Sequence, residues 1–368
     1  MSLSMQVKTD SYLKSFFTTI VYPFRIPMDH NGTHLQETLT MNIENEDDIG
    51  IVFRKTLGRY NVHTNGREID CVLSSLLHKH LIYPTADPTS LRHKVQEVRE
   101  LDKVDPVAIG DRVRYINAGD GSGMITEVLP RRSKLSRPAP MPGQRVFEQV
   151  IVSNADLVLP VFAAANPTPK WGLLDRYLVT AESADLPSLI VINKIDLAWK
   201  NPGLDEELEI YRRIGYPILS VSAVTGEGIE ELKHFLQGKL SVLVGKSGVG
   251  KTSLLNAIQP GLGLRVKEVS QGEQGKGRHT TTHLEMFKLD IGGALVDTPG
   301  MREFGLWNIV GEKLAYLFPE MADYVGQCKF GLSCHHDREP GCAIRKAVMS
   351  GEISPHRYKS YMHLREEL

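Results

Sequence analysis

The stretch Gly245-Lys246-Ser247-Gly248-Val249-Gly250-Lys251-Thr252 limits what this chain can fold into more than any other. It fits GxxxxGK[ST], a phosphate-cradling loop, and its flanks agree. Leu240-Ser241-Val242-Leu243-Val244 is apolar and β-branched, the pattern of a buried strand, and Ser253-Leu254-Leu255-Asn256-Ala257-Ile258 reads as the start of a helix. Strand, glycine loop and helix N-terminus in that order aim backbone N–H groups and the positive end of a helix dipole at an anion. In such a loop Lys251 reaches the β- and γ-phosphates, and the Thr252 hydroxyl sits on Mg²⁺. The loop, with Ser253 behind it, calls for a nucleoside triphosphate but does not choose the base.

The base is chosen upstream. From Gln149 the pattern is α/β, and Ser188-Leu189-Ile190-Val191-Ile192 is a continuous apolar run, as in a parallel strand buried on both faces. It ends in Asn193-Lys194-Ile195-Asp196, at the carboxyl end of a strand, where such sheets bind ligands. An Asp196 carboxylate can accept from guanine N1–H and the exocyclic amine. Adenine offers no such donor pair and would leave the carboxylate unpaired. Asn193 can meet the guanine acceptors, and the Lys194 stem can lie along the base plane. Pro217 to Ala223 reads as a strand, and Ser222-Ala223 resembles the second guanine-binding loop of GTPases.

Downstream of the phosphate loop, 271–277 is rich in glycine and is followed by Arg278-His279-Thr280-Thr281-Thr282. A threonine there suits a switch loop whose hydroxyl completes a Mg²⁺ shell, and Thr281 is the expected one. Ala294-Leu295-Val296 then leads into Asp297-Thr298-Pro299-Gly300. Asp297 is expected to hold Mg²⁺ through a water, and the Gly300 N–H to sense the γ-phosphate. Many GTPases place a water-orienting glutamine next; here it is Met301, which cannot orient water. Hydrolysis is therefore expected to be slow or to use another group, with His279 the first candidate. Ordinary GTPases run phosphate loop, switch threonine, DxxG, NKxD, SA. This chain runs NKxD, SA, phosphate loop, threonine, DTPG, a cyclic rotation that preserves every contact if the domain termini lie close.

Residues 1–48 read as an N-terminal extension with one helix. Over 49–130 short alternating segments recur around turn signals, among them Ile51-Val52-Phe53, Tyr60 to Thr64, Ile69 to Leu73 and Gly123 to Leu129. Five such strands with no long helix between them predict a small OB-fold barrel, a nucleic-acid-binding architecture. Over 131–148, Arg131, Arg132, Lys134 and Arg137 lie among prolines, predicting an exposed basic linker suited to phosphate contacts. Net charge is −1, so nucleic-acid binding must come from such local patches. No apolar run is long enough to span a bilayer.

Three of the 4 cysteines, Cys328, Cys334 and Cys342, crowd together beside His335 and His336. This clustering points to metal and a reducing cytoplasm, not to disulfides. Cys₃His is a closed tetrahedral zinc set, hence structural; the residues alone leave the choice of histidine open. Segments 311–324 and 343–368 look helical.

From about residue 49 to the end, these motifs resemble, in order, the circularly permuted GTPases of bacterial small-subunit assembly, the RsgA or YjeQ family. Pro130-Arg131-Arg132-Ser133, Asn193 to Asp196, the phosphate loop, Gly277 to Thr282, Asp297 to Gly300 and the cysteine cluster carry the resemblance. It implies a multidomain chain: an OB-fold β-barrel, a circularly permuted α/β P-loop GTPase domain over 149–307, and a small helical zinc-binding domain over 308–368. It implies GTP hydrolysis stimulated by the small ribosomal subunit, late maturation of that subunit through its rRNA, one structural Zn²⁺, Mg²⁺ with GTP or GDP, and a cytoplasmic monomer. It places the zinc ligand at His336 and gives the histidine matching His279 a catalytic role beside Lys251 and Thr281. The chain departs from the family in having five residues, not four, between Cys328 and Cys334. The alternatives are an RNA-binding scaffold that holds GTP with little hydrolysis, kept alive by Met301, and a permuted GTPase of the large subunit.

Overall fold

Apolar residues at every second position bend five strands into a closed barrel. In the computed structural model, residues 48–368 are described except 57, 76, 78–79, 83–96, 100–105, 141–145, 263–283, 299–305 and 308. Strands β1 (Ile49–Thr56), β2 (Arg59–Thr64) and β3 (Arg67–Leu73) form an antiparallel meander. β4 (His80–Ile82) and β5 (Glu97–Arg99) pair with each other. β6 (Arg112–Asn117) and β7 (Ser122–Val128) complete the barrel: β3 runs parallel to β7, and β6 closes onto β1. Val52, Val62, Ile69, Cys71, Val113, Tyr115 and Ile125 fill the interior, as the alternation predicts. The order β1-β2-β3-β7-β6 with closure on β1 is OB-like. The extension expected over 1–48 lies outside the described residues apart from Asp48.

The stretch expected to be an exposed basic linker is a β-hairpin instead. β8 (Lys134–Pro140) pairs antiparallel with β9 (Val146–Ser153). Leu135, Ser136 and Ala139 are buried. The cations are used in pairing. Lys134 Nζ meets Glu148 at 2.6 Å, and Arg137 Nε donates to Gln149 Oε1 at 2.8 Å. Ahead of β8, Arg131 makes a two-pronged contact with the fully buried Asp111, at 2.7 and 2.6 Å. Removing one partner of such a pair costs about 3–5 kcal/mol, because the other charge stays buried. Pro and Arg density therefore marks a rigid junction here, not a free tether.

The next ten elements build the α/β domain. They are β10 (Leu157–Ala163), α1 (Trp171–Glu182), β11 (Ile190–Asn193), α2 (Leu204–Ile214), β12 (Ile218–Ser220), α3 (Ile229–Leu236), β13 (Leu240–Val244), α4 (Lys251–Ile258), β14 (Glu285–Lys288) and β15 (Ala294–Asp297). Their sheet order is β12-β11-β10-β13-β15-β14, parallel except for β14. β13, which feeds the glycine loop, thus lies at the centre although it is late in the chain. Alternate residues of β10 supply the two faces. Val158 and Phe162 pack with Leu174, Tyr177 and Leu178 of α1 and Leu204, Leu208 and Tyr211 of α2. Leu159, Val161 and Ala163 pack with α3 and α4 through Leu232, Leu236, Leu254 and Leu255. One register pair, Arg54↔Glu285, continues this sheet into β1 of the barrel.

The C-terminal region is less helical than expected at its start. Residues 311–317 form tight 3₁₀ turns, and α5 (Pro319–Ala322) is a single turn with proline at its first position, where the missing N–H costs nothing. α6 (Ala343–Ser350) and α7 (Pro355–Glu366) follow. Leu314, Phe318, Met321, Ile344, Tyr361 and Leu364 make their own core with the three cysteines.

Candidate nucleotide cleft and metal cluster

The carboxyl ends of β10, β11 and β13 bring the base-side and phosphate-side motifs into one cleft. Asn193, the last residue of β11, is 1% exposed. Its amide Nδ2 donates to the carbonyls of Val249 (3.0 Å) and Gly250 (3.4 Å), and its Oδ1 accepts from the Ala223 N–H at 3.2 Å. One side chain thus ties the NKxD, SA and phosphate loops together. The approach needs glycine. Gly250 has φ +93°, and a Cβ there would fall 2.4 Å from Asn193 Nδ2; a Cβ on Gly245 would fall 2.4 Å from the Val161 carbonyl oxygen.

Lys194 takes a left-handed backbone (φ +60°), which lets its ammonium turn back to the Gly248 carbonyl at 2.7 Å and the Asn166 carbonyl. Partial burial lowers its pKa, opposed by Asp196. Asp196 stands exposed, with Oδ1 accepting from the Ser222 hydroxyl at 2.6 Å. That hydroxyl oxygen also accepts from the N–H groups of Val224 and Thr225, at 3.3 and 3.1 Å. Ser222 therefore holds both its own loop and the carboxylate. Sequence reasoning missed Asn166. A backbone carbonyl as acceptor leaves no side-chain signature; the signal at hand was only a polar, proline-rich loop after β10.

On the phosphate side, Lys251 opens α4 and is 8% exposed. Its ammonium donates to the Gly245 carbonyl at 2.7 Å and the Lys246 carbonyl at 3.4 Å. Burial lowers its pKa, and Asp297 pulls it back up. Asp297, at the end of β15, is the mirror case: burial raises its pKa, and Lys251 and the Thr298 N–H oppose this. Its Oδ1 is buried without a hydrogen-bond partner. An orphaned carboxylate oxygen beside a phosphate loop fits a hydrated divalent cation, which would supply the missing donor. The Thr298 hydroxyl donates to the Leu243 carbonyl at 2.6 Å, pinning the end of β15 to β13. Ser247, Gly248, Val249, Thr252 and Ser253 lie in the same loop and helix start. His279, Thr281, Gly300 and Met301 lie outside the described residues.

The four atoms expected to bind metal are together. Cys328, Cys334, His336 and Cys342 are all buried, with ligand atoms within 4.8 Å of one another. His336 Nδ1 is 3.5 Å from Sγ of both Cys328 and Cys342. His336, not His335, faces the sulfurs, because a left-handed backbone (φ +61°) turns it inward. His335 is exposed, and its N–H is held by Glu339 at 2.9 Å. The N–H groups of Ala343 and Arg345 point at Cys328 and Cys342 sulfur, at 3.3 and 3.5 Å, as second-sphere donors to thiolates do. Burial pushes the Cys342 thiol up to about 12 and lowers the His336 pKa; binding a cation here would require the thiols to give up their protons.

Fold and site define a P-loop GTPase whose motifs occur in rotated order, joined to an OB-like barrel and a Cys₃His cluster. Residues 128–307 match the family described as RsgA GTPase. The chain is 46% identical over 265 residues to the small ribosomal subunit biogenesis GTPase RsgA of Gemmatimonas aurantiaca, covering 71% of this chain and 84% of that one. It is 46% identical over 257 residues to the protein of that name from Azotobacter vinelandii, covering 69% and 73%. Among solved structures, YjeQ from Thermotoga maritima superposes with TM-score 0.64 at 35% identity, covering 87% of this chain and 98% of that one. YloQ, a circularly permuted GTPase, superposes with TM-score 0.60 at 28% identity, covering 87% and 94%. The chain belongs to the RsgA GTPase family.

Proposed function

We propose that the chain hydrolyses GTP as a timing switch in late maturation of the small ribosomal subunit, stimulated by that subunit and gripping its rRNA through the barrel and the C-terminal domain. The observation that carries this reading is the Asn193 bridge, which makes base recognition and phosphate binding one cleft. Relatives named for small-subunit biogenesis supply the target. Asp196 selects guanine, Asn193 and the Ser222-Ala223 loop frame the base, and Lys194 lies along it. The N–H groups of residues 245–253 cradle the phosphates, and Lys251 leaves its carbonyl partners for the β- and γ-oxygens. Thr252, Thr281 and the orphaned oxygen of Asp297 would hold hydrated Mg²⁺, which supplies charge neutralisation on the phosphates. Gly300 senses the γ-phosphate, and His279 orients the attacking water in place of a glutamine. Zn²⁺ would be held by Cys328, Cys334, His336 and Cys342, as a closed structural site.

The domain limits 49–130, 149–307 and 308–368, a monomeric state and a cytoplasmic location belong to the same reading. Among the described residues no helix is long and apolar enough to cross a membrane. The experiment is co-sedimentation with separated ribosomal subunits in the presence of a non-hydrolysable GTP analogue. Retention on small subunits alone is expected; retention on large subunits alone would move the target.

A further inference from the structure

The C-terminal region reaches into the α/β domain with a buried arginine that lands between the two helices framing the base-side loops. Arg357, on α7, is fully buried. Its Nη1 donates to Asp175 Oδ1 on α1 at 2.7 Å; Nε and Nη2 donate to Glu320 on α5 at 2.6 and 3.1 Å. The guanidinium lies 4.5 Å from the Phe318 ring and 5.6 Å from the Tyr211 ring. Asp175 is shared. Its Oδ1 also accepts from the Tyr211 hydroxyl on α2 at 2.7 Å, and His356 Nε2 stands 4.0 Å from Oδ2. A second contact between Arg176 and Glu367 holds α1 to the end of α7.

These two helices are not neutral scaffolding. The loop entering α1 accepts the Lys194 ammonium on the Asn166 carbonyl, and its Ala164 N–H donates to the Asn193 carbonyl at 2.7 Å. The segment entering α2 carries Asp196, and Asn201 donates back to the Ala164 carbonyl at 3.0 Å. Both helices are therefore tied by hydrogen bonds to the segment that carries Lys194 and Asp196, and one arginine from the cysteine-bearing end of the chain meets both helices through a single carboxylate oxygen. We infer that Asp175, Tyr211 and Arg357 are positioning residues that couple the C-terminal domain to guanine recognition. Whatever moves that domain on a partner then shifts the grip on the base. Such a network is a coupling device only if breaking it changes the distant site beyond its effect on stability.

This inference rests on the guanine assignment made above. The test follows release of N-methylanthraniloyl-GDP from the full chain, with competition by GDP and by IDP, which lacks the exocyclic amine that Asp196 would accept from. Asp175→Ala and Tyr211→Phe are expected to speed release at least about fivefold and to narrow the GDP-over-IDP preference by a similar factor, the low end of measured site-to-site couplings. Glu320→Gln takes a charge from the same arginine without touching α1 or α2, and should stay within about twofold of the parent for both readouts. Equal effects of Glu320→Gln and Tyr211→Phe would make the network merely structural and overturn the inference, as would parental behaviour in Tyr211→Phe. Tyr211→Phe removes one oxygen and is decisive even if Asp175→Ala does not fold. Failure of the parent chain to bind GDP would overturn the guanine assignment instead.

Discussion

The Asn193 amide sits 3.4 Å from the Gly250 carbonyl oxygen, and a Cβ on residue 250 would occupy the space of that amide. Gly250 is thus the point at which base side and phosphate side interlock. Gly250→Ala should force Asn193 away and unseat both loops, on top of the strain of φ +93° for an L side chain. GDP affinity by calorimetry is expected to fall at least about a hundredfold, a loss of ~2.7 kcal/mol.

Asp196→Asn exchanges an acceptor pair for an amide. Ser222 can still donate to the amide oxygen, so the loop should persist. Guanine selectivity should drop by about two orders of magnitude or more, because a buried donor pair on the base loses its acceptors. Xanthine, with an oxygen in place of the exocyclic amine, should gain in competition assays against labelled GDP. A variant as selective as the parent would remove Asp196 from base recognition.

The metal cluster separates two neighbouring histidines. His336→Ala should lose zinc by elemental analysis and lower the melting temperature, since three buried thiols and a core lined by Phe318 and Tyr361 depend on it. His335→Ala should keep zinc at the parent level. Loss of zinc in both, or in neither, would contradict the geometry.

Glu182 offers a pH test away from either site. Burial raises its pKa, with the Tyr216 hydroxyl at 2.9 Å and Arg357 pulling the other way. A carboxyl whose pKa rises on folding contributes stability below its unfolded value and loses it as pH climbs through the folded value. Glu182→Gln keeps an acceptor for Tyr216 and cannot ionise. The variant should melt higher than the parent at pH 7.5 and match it at a pH below the ordinary glutamate value. A variant that melts lower at pH 7.5 would contradict this.

The elements legible in the sequence were those whose chemistry is local. Gly245 to Thr252, Asn193 to Asp196 and the Cys328–Cys342 cluster each need fixed residue types at fixed short spacings, so the string alone reveals them. The barrel was legible through period-two burial in segments such as Arg67–Leu73. What escaped depends on pairing across distance. Arg131 and Lys134 look like free cations until Asp111 and Glu148 arrive beside them. The Asn166 carbonyl and the Arg357–Asp175 pair, 182 residues apart, have no local pattern at all. The choice between His335 and His336 came down to one left-handed backbone angle.

The most direct measurement is GTP turnover by the chain alone, with purified small subunits and with purified large subunits, each repeated with Lys251→Ala. The account predicts slow turnover alone, at least about tenfold acceleration by small subunits only, and a loss of at least about a hundredfold with Lys251→Ala, in line with the removal of one preorganised cationic donor. Equal acceleration by either subunit, or undiminished turnover without the Lys251 ammonium, would contradict it.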